Sequence, residues 1–208
     1  VASHYRDFFI VAELKNGKIL KGESAISDYQ LVSRFGVKKI YLTPKAIANP
    51  KAQQAIKEAD LIVVGPGNLY ASLIPNFLVP GIARAFIASK AKKVYVANLM
   101  NKHGHTDDFV VSDYVRAIEG VVGKSGVFDV VVYNTKKPAP ELVRKYADEG
   151  APVSCGPECK SLGIDLVGTD LLAGKLSAPK KKDLIRRTLI RHDSDKLAKV
   201  LMRVFLFK

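Results

Sequence analysis

Residues 60–67 read Asp60-Leu61-Ile62-Val63-Val64-Gly65-Pro66-Gly67, a four-residue apolar run that ends at two glycines. A short run without polar interruption is typical of a parallel strand that is covered on both faces. Similar runs recur at 94–98 and 130–133, and segments with helical periodicity lie between them. Because strands and helices alternate with short loops, we expect a Rossmann-like three-layer α/β/α fold with a mainly parallel sheet.

Other segments extend this pattern in both directions. Asn16-Gly17, between two apolar stretches, predicts a β-hairpin near the amino terminus, because both residues accept positive φ. Asp193 or Ser194 is expected to cap a last helix. Further strands are predicted at 37–42 and 188–190, and helices from Pro50 to about Ala59, Pro80 to about Ser89, Ser112 through Ile118 and Pro140 to Ala147.

Size and composition indicate a single α/β domain spanning residues 1–208. The chain has 208 residues, of which 48% are hydrophobic, and it carries a formal net charge of +13. No apolar run approaches the roughly 20 residues that a membrane-spanning helix needs, so we expect no membrane span. Two cysteines are too few for a disulfide framework, and no leader is recognisable, so we expect a cytoplasmic protein.

Positive charge is concentrated at the carboxyl end, where Lys175–Lys208 carries eleven Lys and Arg against three Asp. Such a segment attracts phosphate groups or an acidic partner, but a solvated helix face with a Lys180-Lys181-Lys182 loop explains it equally simply. Aromatic residues do not alternate with these basic residues, and no zinc-finger spacing is present. Nucleic-acid binding is therefore the least favoured of the interpretations of this segment.

Three polar segments are candidates for a binding site, because ligands of parallel sheets bind outside the carboxyl ends of the strands. The first follows Val64, where Gly65 and Gly67 let a ligand approach the backbone, although a simple turn explains the same residues. The second follows the strand at 94–98 and includes Asn98, whose amide needs partners. The third contains Arg191, which can present a guanidinium to phosphate or remain a surface charge.

The second segment also contains His103, His105 and Asp107, a spacing that is weak evidence for a metal site without distant partners. We therefore predict no metal there. Cys155 and Cys159 fit neither a redox nor a zinc spacing, and we interpret them as structural thiols.

Three blocks of the sequence resemble the YvcK/CofD family in its gluconeogenesis-factor branch. The blocks are residues 59–76, residues 98–106 together with 112–114, and residues 191–198. The resemblance implies a protein that binds a UDP-sugar and regulates carbon metabolism and cell shape or cell-wall homeostasis, with no settled reaction. It places the ligand or another phosphorylated small molecule near ten residues: Gly65, Pro66, Gly67, Asn68, Ser72, Asn98, Thr106, Asp113, Arg191 and His192.

The sister branch of the family leaves an alternative open. It is an enzyme that transfers a 2-phospho-lactyl group to a deazaflavin, and it would add Mg²⁺ as a cofactor. Leu69-Tyr70 sides with the gluconeogenesis-factor branch. We expect a homo-oligomer, a dimer.

The sequence departs from the family pattern in two places. The family opens with a glycine-rich strand and loop that these 208 residues lack, so we expect an amino-terminally incomplete CofD-like domain. In the middle block, His105 stands where the family has a glutamate. This replacement puts any role of that carboxylate in metal or ribose binding in doubt.

Overall fold

Two sheets organise the chain in the computed structural model, which describes residues 8–27, 32, 34–174 and 190–207. The first three strands form an antiparallel sheet in the order β2-β1-β3, and the last four form a parallel sheet in the order β4-β5-β6-β7. The strands are β1 (Phe9–Leu14), β2 (Ile19–Lys21), β3 (Val37–Thr43), β4 (Leu61–Val64), β5 (Lys92–Val96), β6 (Val130–Asn134) and β7 (Asp165–Thr169).

Helices connect these strands and cover the parallel sheet. They are α1 (Glu23–Ser27), α2 (Pro50–Glu58), α3 (Ile74–Phe77), α4 (Ile82–Ala88), α5 (Val111–Val122), α6 (Pro140–Tyr146) and α7 (Ser194–Leu206). A π-helical turn at Leu69–Leu73 leads into α3, and a 3₁₀ turn at Pro157–Leu162 precedes β7. Among the described residues, no single helix has the length and apolar character needed to cross a membrane.

Side chains from alternate strand positions enter two separate cores, as the pleat of a β-strand requires. Tyr95 and Val131 pack on one side of the parallel sheet with residues of α3, α4 and α5. Val94 and Val96 pack on the other side against α7. The sheet therefore lies between two helical layers, which confirms the predicted α/β/α architecture.

The antiparallel sheet contributes a third core. The hairpin predicted at Asn16-Gly17 is present, and Gly17 has a φ of +85°. Ile10, Ala12 and Leu14 on β1 face inward and pack against α1 and against Ala71 of the π-helical turn. This packing joins the small sheet to the segment that follows β4.

Several predicted boundaries move by one or two residues. The strand expected at 94–98 is Lys92–Val96, so Asn98 lies in the loop beyond it. The helix expected from Pro80 begins at Ile82, because Gly81 adopts a φ of +95°. The helix expected from Ser112 begins at Val111, and the Asp113 carboxylate accepts the Val110 N–H at 2.9 Å.

Two strands differ between the sequence prediction and the structure. Strand β7 was not predicted, because Gly168 interrupts its apolar pattern and its ends are polar. Of the strand predicted at 188–190, residues 188 and 189 lie outside the described residues, as does the Lys180-Lys181-Lys182 segment. Ile190 is buried and not part of a strand.

Candidate functional site

The carboxyl ends of β4 to β7 lie at one edge of the parallel sheet, because all four strands run in the same direction. The three predicted polar segments begin or lie at this edge. Residues 65–68 follow β4, residues 97–110 follow β5, and residues 190–193 run beside the segment after β7. Ligands of open parallel sheets bind at such an edge.

Asn98 ties the first two segments together. Its Nδ2 donates to the Gly67 carbonyl oxygen at 2.9 Å, and its Oδ1 accepts the Gly67 N–H at 3.4 Å. The predicted need of the Asn98 amide for partners is therefore met by the backbone of the glycine loop. As a consequence, the N–H of Gly67 is engaged within the protein.

The two glycines of this loop differ in their surroundings. A Cβ at Gly67 would lie 3.1 Å from Cδ2 of Leu73, so a side chain there would crowd the π-helical turn. A Cβ at Gly65 would meet no heavy atom within 4 Å, so the surface beside Gly65 is open. Pro66 is exposed between them. Gly67 therefore serves packing, whereas Gly65 borders space that a ligand can enter.

Asn68 and Ser72 have structural contacts in this segment. The Oδ1 atom of Asn68 accepts the N–H groups of Tyr70 and Ala71 at 3.2 and 3.1 Å, which caps the π-helical turn. Ser72 is exposed, and its hydroxyl donates to Glu23 Oε1 at 3.4 Å. The oxygen of Asn68 is thus occupied, and Ser72 points toward α1.

Thr106 belongs to a buried network in the second segment. Its hydroxyl accepts the Lys102 N–H at 2.9 Å and lies 2.9 Å from the Tyr114 hydroxyl. Tyr114 also donates to Asn101 Oδ1 at 2.8 Å, and burial raises its pKa to about 12. Thr106 is only 2% exposed, so its visible role is to shape the loop.

The histidines of the second segment have different environments. His103 Nδ1 lies 2.7 Å from Asp107 Oδ1, and both side chains are about half exposed. His105 is buried, and its ring centre lies 6.0 Å from that of Tyr70. Burial, reinforced by the nearby Lys102, lowers the pKa of His105 to about 4. In the part of the chain that the structure describes, neither ring nitrogen of His105 has a hydrogen-bond partner.

Asp113 makes its visible contacts at the start of α5. The Asp113 carboxylate bonds the Val110 N–H and lies 3.6 Å from Arg116, so it stabilises the start of α5. Within residues 8–27, 32, 34–174 and 190–207, no group of three or more His, Cys, Asp or Glu is placed to hold a metal ion.

The third segment lies against the ends of β7 and β5. The backbone around His192 pairs with Leu172, and the Ala173 N–H donates to the Arg191 carbonyl at 3.0 Å. The His192 ring contacts the backbone of Ala97; burial lowers its pKa, and the Ala97 contact partly offsets this effect. Since Ala97 precedes Asn98, contacts run continuously from the glycine loop through Asn98 to His192.

Asp193 caps α7; the sequence predicts either Asp193 or Ser194 in this role. Its Oδ1 accepts the N–H groups of Asp195 and Lys196, each at 3.0 Å. The amino terminus of a helix can bind phosphate through such N–H groups. In the structure, these two N–H groups are occupied by Asp193, so Arg191 does not share them with a ligand.

A charged cluster at the same edge was missed by sequence reasoning. Asp170, directly after β7, lies 3.1 Å from Lys136 Nζ and 2.9 Å from Lys196 Nζ. The hydrogen bond from Lys196, with smaller contributions from Leu172 and Lys136, lowers the pKa of Asp170 to about 2. The sequence does show Asp170 as a polar residue, but its position at the end of a strand could be recognised only if β7 had been predicted.

Cys155 and Cys159 are both free thiols; Cys155 is half-buried and Cys159 is buried. Burial and the neighbouring Cys159 raise the pKa of Cys155 to about 12. A shallow groove of about 280 Å³ lies beside the second segment, lined in part by Asn101 and Val143. None of its lining residues is Gly67, Asn98 or His192.

Comparison with known proteins identifies similar sequences and structures. The family model described as "2-phospho-L-lactate transferase CofD" matches residues 5–172. The chain is 37% identical to a putative gluconeogenesis factor from Aquifex aeolicus, covering 98% of this chain and 59% of the relative. It is 35% identical to the gluconeogenesis factor of Bacillus subtilis, covering 92% and 56%.

A solved structure agrees with these sequences. The crystal structure of a UPF0052-family protein from Bacillus halodurans superimposes with a TM-score of 0.80 at 30% identity, covering 95% of this chain and 59% of that chain. The chain thus spans about half the length of the relatives it matches. The resemblance noted in the sequence is confirmed by all three comparisons.

Proposed function

Because this chain belongs to the CofD family and is similar to gluconeogenesis factors over most of its length, we propose that it binds a nucleotide sugar. UDP-N-acetylglucosamine is the first ligand to test. We further propose that binding regulates carbon metabolism and cell shape or cell-wall homeostasis, in a cytoplasmic homodimer. The name of the relatives supports the first of these roles, since they are gluconeogenesis factors.

The observation that carries the proposal is the link between Asn98 and Gly67. It joins the ends of β4 and β5 at 2.9 and 3.4 Å and holds the glycine loop at the edge where ligands of parallel sheets bind. The open space beside Gly65 allows the backbone to be approached closely. A preformed loop of this kind lowers the entropic cost of binding.

The charge at this edge favours a ligand with phosphate groups. Lys136 and Lys196 share the carboxylate of Asp170, so this cluster near the ends of β6 and β7 sets two ammonium groups against one carboxylate, while the Asp193 carboxylate caps α7. Arg191 lies in the segment beside β7 and adds a further cation. A guanidinium binds phosphate oxygens through paired hydrogen bonds, so Arg191 is the residue we expect to contact the diphosphate.

Calorimetric titration of the complete protein with UDP-N-acetylglucosamine tests the proposal. We expect saturable binding, and we expect Arg191→Ala to weaken it by about 1–3 kcal/mol, the magnitude of a charged hydrogen bond. Arg203→Ala, at an exposed position near the end of α7, is the matched control and is expected to bind like the wild type. Equal affinity of Arg191→Ala and wild type would remove Arg191 from the site, and no binding of any UDP-sugar would reject the proposal.

A second candidate function is transfer of a phospho-lactyl group to a deazaflavin. The description of the matching family model favours it. The test is mass spectrometry of reactions that contain a deazaflavin and a nucleotide-activated phospholactate, with and without Mg²⁺. A phospho-lactyl deazaflavin product would support this function, and its absence under both conditions would leave nucleotide-sugar binding as the better proposal.

A further inference from the structure

The outward face of the antiparallel sheet presents aromatic rings among lysines, and we call it the outer sheet face. Phe9 on β1 is 41% exposed there, and Tyr41 on β3 is half-buried. Lys21 and Lys39 are both exposed, and their ammonium groups lie 4.1 Å from the centre of the Phe9 ring and 5.7 Å from that of Tyr41. Cations and π-faces therefore alternate across one surface.

Strand pairing creates this arrangement from residues that are far apart in sequence. Val11 pairs with Lys21 on one side and with Tyr41 on the other, while Phe9 pairs with Thr43. Phe9 and Tyr41 are consequently diagonal neighbours on adjacent strands, a relation that places Cα atoms about 7–8 Å apart. Two rings at this separation can each stack with a separate base.

The charge of the outer sheet face is positive. Lys21, Lys38 and Lys39 contribute three ammonium groups, against one carboxylate from Glu13. The Lys38 ammonium lies 2.6 Å from Glu13 Oε1, so that pair is neutral and two lysines remain beside the rings. Lys38 lowers the pKa of Glu13, which favours the charged form of this carboxyl and keeps it paired with Lys38.

We propose that the outer sheet face binds single-stranded nucleic acid. An unpaired base would stack on Phe9 in place of the Lys21 ammonium, which would then contact the neighbouring phosphate. Tyr41 and Lys39 would hold the next nucleotide in the same way. Aromatic side chains on adjacent strands of an open sheet, flanked by basic residues, are a recurring way to bind single strands with little sequence preference.

A single strand fits these features better than an acidic peptide does. Both would satisfy the lysines, but a peptide of Asp and Glu has no flat ring to cover Phe9 and Tyr41. Nucleic-acid binding was disfavoured in the carboxyl-terminal basic segment, where aromatic residues do not alternate with basic ones. The outer sheet face has that alternation, and it lies on the antiparallel sheet, apart from the carboxyl edge of the parallel one.

Fluorescence anisotropy of the whole chain with a short labelled oligouridine tests the proposal. We expect saturable binding. The logarithm of the association constant should fall linearly with the logarithm of the salt concentration, with a slope of about −1.4 to −2 for two or three phosphate contacts. The Phe9→Ala/Tyr41→Ala double variant should bind about tenfold or more weakly, because stacking is lost at two positions. Tyr41→Phe keeps the ring and should bind like the wild type.

Controls separate this surface from general attraction to a basic protein. Ile47→Ala and Lys57→Gln remove an exposed apolar and an exposed basic side chain outside the sheet and should leave affinity unchanged. The Lys21→Gln/Lys39→Gln double variant changes only exposed side chains and removes two phosphate contacts. The slope of the logarithm of the association constant against the logarithm of salt concentration should therefore become less negative by about 1.4. Circular dichroism of every variant verifies folding.

Three results would overturn the proposal. One is unchanged affinity in the Phe9→Ala/Tyr41→Ala variant, and another is equal affinity for a duplex, whose paired bases are not available for stacking. The third is displacement of the strand by polyglutamate as effectively as by unlabelled oligouridine, which would identify an acidic polypeptide as the partner.

Discussion

Replacing Asn98 by alanine removes the only two side-chain hydrogen bonds that join it to Gly67 among the described residues. The bond from Nδ2 to the Gly67 carbonyl is 2.9 Å long, and the one from the Gly67 N–H to Oδ1 is 3.4 Å. A neutral hydrogen bond contributes about 0.5–1.5 kcal/mol to folding, and the longer bond belongs at the low end of that range. The expected loss in the free energy of unfolding is therefore about 1–2 kcal/mol.

Urea denaturation followed by circular dichroism measures this loss. With a denaturant slope of about 2 kcal/mol per molar, typical of small proteins, the midpoint should fall by about 0.5–1 M at an unchanged slope. Hydrogen exchange at the Gly67 amide supplies a local readout and should become faster, because Asn98 Oδ1 no longer accepts that hydrogen. The two measurements together distinguish release of the loop from general destabilisation.

Two further variants sharpen the interpretation. Asn98→Asp keeps an acceptor for the Gly67 N–H but places a carboxylate against the Gly67 carbonyl, so it should destabilise at least as much as alanine. Asn76→Ala is the matched control: its exposed amide donates to the Ser72 carbonyl at 2.6 Å and to the Leu73 carbonyl at 3.3 Å, and water can replace much of this bonding. If Asn98→Ala changes stability by no more than Asn76→Ala and leaves Gly67 exchange unaltered, Asn98 does not hold the loop.

Other contacts of the site can be tested in the same unfolding assay. Tyr114→Phe leaves Asn101 Oδ1 and the Thr106 hydroxyl without their buried partner and should cost about 1–3 kcal/mol; a loss below 0.5 kcal/mol would contradict the network. Gly150→Ala would place a Cβ well inside van der Waals contact with the Asn101 carbonyl oxygen, so the backbone must move, and we expect a loss of about 3 kcal/mol. The pKa of His105 is about 4 in the folded chain and near 6.5 when unfolded, so the unfolded state takes up the proton first. Stability should therefore fall by about 2–3 kcal/mol as pH drops from 6.5 to 4, and His105→Phe should lose this part of the pH dependence; parallel pH curves for the two proteins would refute it.

Much of the fold was predictable because its signals are local. The apolar runs of β4 and β6 and the Asn16-Gly17 hairpin were recognised from neighbouring residues alone. Asn49 before Pro50 marks the start of α2, and its side chain accepts the Lys51 N–H at 2.9 Å. Asp193 was one of two candidates for the cap of α7. In each case the relevant hydrogen bonds or periodicity involve residues only a few positions apart.

The candidate site was less predictable, because its contacts join distant residues. The sequence indicated that Gly67 and Asn98 follow strands, but it gave no information that the two bond each other across 31 positions. His105 was recognised as polar, and its burial beside Tyr70 was not foreseen. Thr106 and Asp113 were expected near a ligand, whereas their visible contacts stabilise the loop and the start of α5.

Local chemistry in the sequence thus determined most of the strands, the hairpin turn, several helix starts, and which family the chain resembles. Only the tertiary structure decided which strand ends lie side by side, that β7 completes the parallel sheet, and that Phe9 and Tyr41 share one surface with Lys21 and Lys39. The physical reason is that strand order and register depend on packing between segments far apart in the chain, and no local pattern of residues encodes these distances.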